Sequence, residues 1–138
     1  MRYRFFTVLL IALSLTACNG FLTPDDKYTT SVAKARRWLV GEWKLTKVSA
    51  MMPNPPVPNV RLVASEEAII VFKDGKEIDR VGYELSRKDD YLELKTSAEP
   101  KADNWYVRNS TAKVARNRLF LDTGMAFDAP GYEFERIE

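Results

Sequence analysis

Nineteen carboxylates, one thiol and no imidazole make up the reactive stock of this 138-residue chain. Without histidine, neither a nucleophile–histidine triad nor an imidazole metal site can be assembled. The carboxylates that stand in pairs, Asp25-Asp26, Glu66-Glu67 and Asp89-Asp90, are sequence neighbours. Adjacent residues on a strand point to opposite faces, and those in turns face water, so the pairs predict solvated charge and not general acid–base work. Asp122 and Asp128 flank Gly124 but lack the dense alternation of oxygen ligands that a calcium loop needs. The expectation is a protein that is not an enzyme, with no catalytic residue, no metal and no cofactor.

The single thiol has a specific setting. Arg2 and Arg4 precede an eleven-residue apolar run over 5–15, the length of a secretory hydrophobic region and too short to cross a bilayer. The run ends in Leu15-Thr16-Ala17-Cys18, with small residues where a signal peptidase must accommodate them and the chain's only cysteine directly after. This resembles the lipobox of bacterial lipoproteins. The resemblance implies that a diacylglycerol is joined to the Cys18 thiol, that the chain is cut before it, and that the new amino group is acylated too. Two or three acyl chains anchor stably where one anchors marginally. The expected divisions are a signal peptide over 1–17, a tether over 18–29 and a folded domain over 30–138. The expected partner is a membrane, reached through the N-terminal lipid. Asn19 stands where a retention signal places aspartate, which favours the outer membrane if the envelope is Gram-negative. In such a bacterial protein the sequon Asn109-Ser110-Thr111 is a chance match.

Removing residues 1–17 from the 138 leaves 121, enough for one domain with a core and too few for two. The loss of Arg2 and Arg4 lowers the basic count from 21 to 19, equal to the 19 acidic residues, so no nucleic-acid partner is expected. With Cys18 taken up by lipid, no disulfide staples the domain, and apolar burial has to hold it.

The elements that would position any site follow from periodicity. Over 30–39 the residues Val32, Ala35 and Leu39 fall near one helical face, Thr30 or Ser31 can cap, and Gly41 can stop the turn, so a short helix is expected. Beyond Gly41 the pattern changes to short β-branched and aromatic runs divided by turn signals. Eight strands are expected, over 42–49, 68–73, 76–86, 91–96, 104–108, 111–115, 118–122 and 132–137. Asp74-Gly75 suits a tight hairpin, and 87–90 and 116–117 are polar turns. Alternation places Val81, Tyr83 and Leu85 on one face, and likewise Leu92 with Leu94, Leu119 with Leu121, and Tyr132 with Phe134. Short antiparallel strands buried on one side close most simply as an all-β, up-and-down barrel. The segment 50–59 holds Met51, Met52 and four of the seven prolines, which predicts a stiff loop long enough to lie across the barrel mouth as a lid.

Gly41-Glu42-Trp43 opens the first strand directly after that helix, and resembles the Gly-x-Trp signature of the lipocalin and fatty-acid-binding superfamily. Leu39 to Leu45, Phe72 to Gly75 and Tyr132 to Ile137 add to the likeness, which covers 38–137 and is nearest to the small lipocalin-like lipoproteins of bacteria. The resemblance implies that Trp43 closes the barrel floor and that a basic side chain near the last strand, Arg136, lies across its ring. Read from its residues alone, Arg136 is either such an inward guanidinium or a surface arginine near the chain end. Short length, absent strand motifs of transport lipocalins and the lack of a disulfide leave the ligand unspecified.

For ligand binding, the barrel interior and mouth offer Met51, Tyr83, Trp105, Tyr106 and Phe127. Two readings stay open at this level. A membrane-anchored monomer binds a small hydrophobic molecule in an aromatic-lined cavity, or the interior is packed solid and the loops contact another envelope protein.

Overall fold

The computed structural model describes residues 27–99 and 106–137. Cys18 and Trp105, and with them the expected signal peptide and most of the tether, lie outside the described residues.

A helix, α1 (Val32–Leu39), precedes eight strands: β1 (Gly41–Ser49), β2 (Val60–Ala64), β3 (Ala68–Lys73), β4 (Lys76–Lys88), β5 (Tyr91–Thr96), β6 (Ser110–Val114), β7 (Arg118–Asp122) and β8 (Gly131–Arg136). The Ser31 hydroxyl accepts from the Lys34 amide at the start of α1, which satisfies one of the donors that a helix N-terminus leaves open. Each strand pairs antiparallel with its chain neighbour, and β8 returns to β1, so the sheet is a closed barrel without free edges. Asp74 and Gly75 both take positive φ in the β3–β4 hairpin, as does Asp89 in the next one.

Two strands differ from expectation. The segment β2 pairs with β1 and β3, with Val60, Leu62 and Ala64 turned inward, and its five residues follow the prolines so closely that their alternation is hidden. Conversely, Tyr106 to Asn109 form turns and bends, not the strand expected over 104–108. Aromatic and β-branched content signalled a strand there, but the pleat is not the only half-buried surface that takes such residues. The total of eight strands is therefore reached with a different set.

Inward residues of all eight strands meet in one core, which contains Trp43, Leu45, Leu62, Ile69, Val71, Val81, Leu85, Leu92, Leu94, Leu119, Leu121 and Phe134 among others. Its branched aliphatic side chains alternate with charged residues on the outer face, where Arg61–Glu42 and Arg118–Glu133 form ion pairs of 2.7 and 2.6 Å across neighbouring strands. A β-bulge between Leu45 and Lys47 accentuates the twist of β1 against β8 and so helps the sheet close.

The up-and-down order puts two sets of connections at opposite ends. One end carries α1, packed on β4 and β6, with the turns at 65–67, 89–90 and 115–117. The other carries the turn at 74–75 and the long connections at 50–59 and 123–130. We refer to them as the helix end and the loop end. The described chain enters at the helix end, where the Thr29 amide donates to the Val114 carbonyl at 2.9 Å.

Candidate functional site

At the helix end the barrel is shut by one indole and one guanidinium. Trp43 is 0 % exposed, and its Nε1 donates to the Leu39 carbonyl at 2.8 Å, joining the floor to the last turn of α1. Directly across from Trp43 in the β1–β8 ladder stands Arg136, whose guanidinium carbon lies 4.3 Å from the centre of the indole ring. Its nitrogens donate to three backbone carbonyls: Nε to Arg116 at 2.7 Å, Nη1 to Val40 at 3.0 Å, and Nη2 to Trp38. Partial burial draws its pKa down from the ordinary value, but a guanidinium remains charged at any physiological pH. One side chain thus ties β8, the α1–β1 junction and the β6–β7 turn together.

The glycine of the Gly-x-Trp motif has a physical reason in the same place. Gly41 has φ of +137°, and a Cβ on it would overlap Arg136 Nη1. Only glycine supplies both the backbone angle and the room for the guanidinium.

The loop end is built differently. Tyr106 and Tyr132 are buried with ring centres 5.1 Å apart in a tilted arrangement. They line a groove of about 350 Å³ together with Val48, Met52, Pro55, Val57 and Lys73. Burial, and behind it the neighbouring Tyr106, push the Tyr132 phenol well above the usual tyrosine range, while Arg108 pulls it the other way. Ser110 Oγ, at the start of β6, is buried with no hydrogen-bond partner among the described residues.

The described members of the expected ligand-lining set are not brought together in one groove. Tyr106 does stand at the mouth. Tyr83 is half-buried near the helix end, where its hydroxyl donates to the Ser65 carbonyl at 2.7 Å in a groove shared with Arg36 and Glu66. It keeps the inward face of β4 that it shares with Val81 and Leu85, and packs against the edge of the core. Met51 is 79 % exposed and Phe127 89 % exposed, so neither lines an interior. Phe127 sits in a short 3-10 turn, Met125–Phe127, ended by Asp128 in a left-handed conformation that faces the ring to solvent. Of the loop 50–59, Met52, Pro55, Pro56 and Pro58 line the rim groove, whereas Met51 stands in solvent outside it.

A hollow large enough for a ligand leaves accessible surface on its walls. The inward side chains leave almost none: Tyr106, at 7 %, is the most exposed of the buried apolar residues, and Val60, Val71, Leu94, Val107, Val114, Leu121 and Phe134 have none. These residues pack against one another as one apolar core. Sequence reasoning missed β2, and with it three inward residues that take up interior volume. It also missed Arg61, whose guanidinium lies 4.7 Å from the Phe72 ring centre on the outer face and shields that aromatic from water. Among the described residues no group of three or more acidic, cysteine or histidine side chains could hold a metal ion, and no helix is long and apolar enough to cross a membrane. No protein-family model matches the chain, and no curated protein or solved structure matches it either.

Proposed function

We propose that this chain is a lipid-anchored lipoprotein of the bacterial cell envelope whose lipocalin-like barrel is a filled scaffold that presents its loop end to another envelope protein. The observation that carries this reading is the contrast between the two apolar surfaces. Inside, the side chains are packed against one another; outside, Met51, Met52, Val57, Met125 and Phe127 stand exposed on two connections of the same end. Exposed apolar residues gathered on one rim mark an interaction surface more often than they mark chance. Anchoring rests on the setting of Cys18 after its apolar leader.

A second reading has one specific observation in its favour. The 350 Å³ groove between the proline loop and the Tyr106–Tyr132 pair is apolar, with phenol tips, and would suit a small hydrophobic molecule held at the rim and not inside the barrel. Titration with a fluorescent apolar probe separates the two. The filled scaffold predicts no saturable uptake, and a photo-crosslinker placed at Phe127 in cells should capture a discrete envelope protein. Saturable uptake that Tyr132→Ala abolishes, with no crosslink, would establish the small-molecule reading instead.

A further inference from the structure

Methionine is used at one end of this barrel only. Beyond residue 1 the chain has three, Met51, Met52 and Met125, and all stand exposed on the connections 50–59 and 123–130 at the loop end, whereas the core contains none. Met125 differs from the other two in having a seat. Gly131 on β8 does not take positive φ, so its backbone would admit any side chain, yet a Cβ there would overlap Met125 Sδ and come within 3.0 Å of the Phe120 ring. The missing Cβ is thus the socket of the thioether, and it sets the sulfur beside an aromatic ring, a contact that favours docking.

That seat holds a turn. The Gly124 and Met125 amides donate to Asp122 Oδ1 and the Phe127 amide donates to the Gly124 carbonyl, which fixes the shape of the 3-10 turn Met125–Phe127. Ala126 and Phe127 stand in solvent, so Met125 is the side chain of the three that seats the turn on the barrel wall. Met125 is itself 41 % exposed, within reach of a small oxidant.

We propose that Met125 is a modification site, at which a peroxide-class oxidant converts the thioether to the sulfoxide and thereby unseats the turn that carries Phe127. A sulfur lone pair attacks one peroxide oxygen and the O–O bond breaks; the second oxygen, after proton transfer, leaves as water. Sulfur is oxidised by two electrons and the peroxide is reduced by two. The new oxygen is a strong acceptor, and a glycine methylene and a phenyl ring offer it no donor, so it stays solvated only if the turn lifts from the wall. Met51 and Met52, the more exposed pair, can be oxidised without moving any such seat. The consequence for a partner at the rim rests on the display reading above; the oxidation and the unseating do not.

Trypsin places Met125 and the Met51–Met52 pair in different peptides, 119–136 and 48–61, so each can be followed by mass in the purified full-length chain under hydrogen peroxide. Met51 should gain one oxygen first and Met125 after it, with the β-rich circular dichroism spectrum unchanged. Cleavage by chymotrypsin after Phe127 should then rise about two- to tenfold, the range set by a lost sulfur–ring contact. Met125→Leu keeps an apolar side chain without sulfur and should abolish that rise, whereas Met51→Leu with Met52→Leu should not. Gly131→Ala should bring the rise without peroxide, since its methyl group occupies the socket. The proposal is overturned by a folded chain whose Met51 is converted while Met125 stays a thioether, or by a Met125 sulfoxide with unchanged cleavage after Phe127. A Met125→Leu chain that still responds to peroxide, or a Gly131→Ala chain cleaved like the parent, overturns it as well. A crosslinker at Phe127 that captures nothing from untreated cells would sink the display reading and leave the peptide and cleavage results standing.

Discussion

The indole of Trp43 and the guanidinium of Arg136 do more together than either does as a packing unit. A cation over an aromatic face contributes about 0.5 to 2 kcal/mol according to its desolvation. The larger part comes from burying the indole and from the three carbonyls that would lose their donor without Arg136. Trp43→Ala should therefore lower stability by about 3 to 5 kcal/mol, read as the midpoint of chemical denaturation. Gly41→Ala should cost about 1 to 3 kcal/mol through backbone strain and displacement of the guanidinium, a large effect for one added methyl group. A Gly41→Ala midpoint equal to the parent's would mean that Arg136 moves aside freely and that the floor is not a tight closure. Cys18 acts at the same scale by different chemistry. Its thiol is the proposed acylation point and cleavage follows acylation, so Cys18→Ala should accumulate as a precursor of unreduced length in membrane fractions. A mature-length, detergent-partitioning product from that variant would remove the lipoprotein reading.

Among the elements, the proline-rich connection 50–59 separates folding from display. It leaves β1 at Ser49 and delivers the chain to Val60, and its backbone bonds outside the strands come from its last residues, with the Val60 amide donating to Pro58 and the Asp74 amide to Asn59. Four prolines fix φ and reduce the entropy lost on ordering, while Met51 stays in water. Replacing residues 51–58 with a short Gly/Ser link should keep the β-rich circular dichroism spectrum and most of the stability, and should abolish capture by a crosslinker at the rim. If the replacement unfolds the domain, the loop belongs to the core and not to the display surface. This element also shows what could be read from the sequence. Its prolines announced a loop, and the alternation in Val81 to Leu85, Leu92 to Leu94 and Leu119 to Leu121 announced strands, because period and turn chemistry are local. The five-residue β2 was not legible, since two or three inward residues next to a proline run give too short a period to distinguish from loop. Nor was the fate of Tyr83, Met51 and Phe127 legible. Aromatic and sulfur-bearing side chains suit a cavity wall, a floor and an exposed rim equally well, and only the register of the closed barrel decides among them. The pairing of Trp43 with Arg136 was legible only through the resemblance carried by Gly41-Glu42-Trp43 and the last strand, since from its residues alone Arg136 read equally well as a surface arginine near the chain end.

For the molecule as a whole, the two ends and the chain's entry are each held partly by a tyrosine, and this couples the fold to alkaline pH. Tyr28 lies at the entry of the chain beside Arg118, Tyr83 bonds the 65–67 turn at the helix end, and Tyr132 packs on Tyr106 at the loop end. Burial is the leading cause that raises all three phenols above the ordinary value of 10.0; Arg118, Arg36 and Arg108 respectively offset it in part. A raised phenol binds its proton more tightly in the folded chain than in the unfolded one. Its contribution to stability is therefore complete below about pH 10, the unfolded value, and is lost as pH rises through the folded value. Stability should accordingly be flat through neutral pH as far as these groups are concerned, and should fall above about pH 10. The tyrosinate absorbance of Tyr28, Tyr83 and Tyr132 should rise above pH 10, together with loss of the near-ultraviolet circular dichroism signal. Tyr132→Phe keeps the ring against Tyr106 and removes the most strongly shifted phenol, so its unfolding midpoint should move to higher pH, whereas Phe127→Ser, at a side chain already in water, should not move it. A Tyr132 phenol that titrates near the ordinary value with the fold intact would mean that the loop-end pair is open to water and that the barrel is not closed by packing at that end.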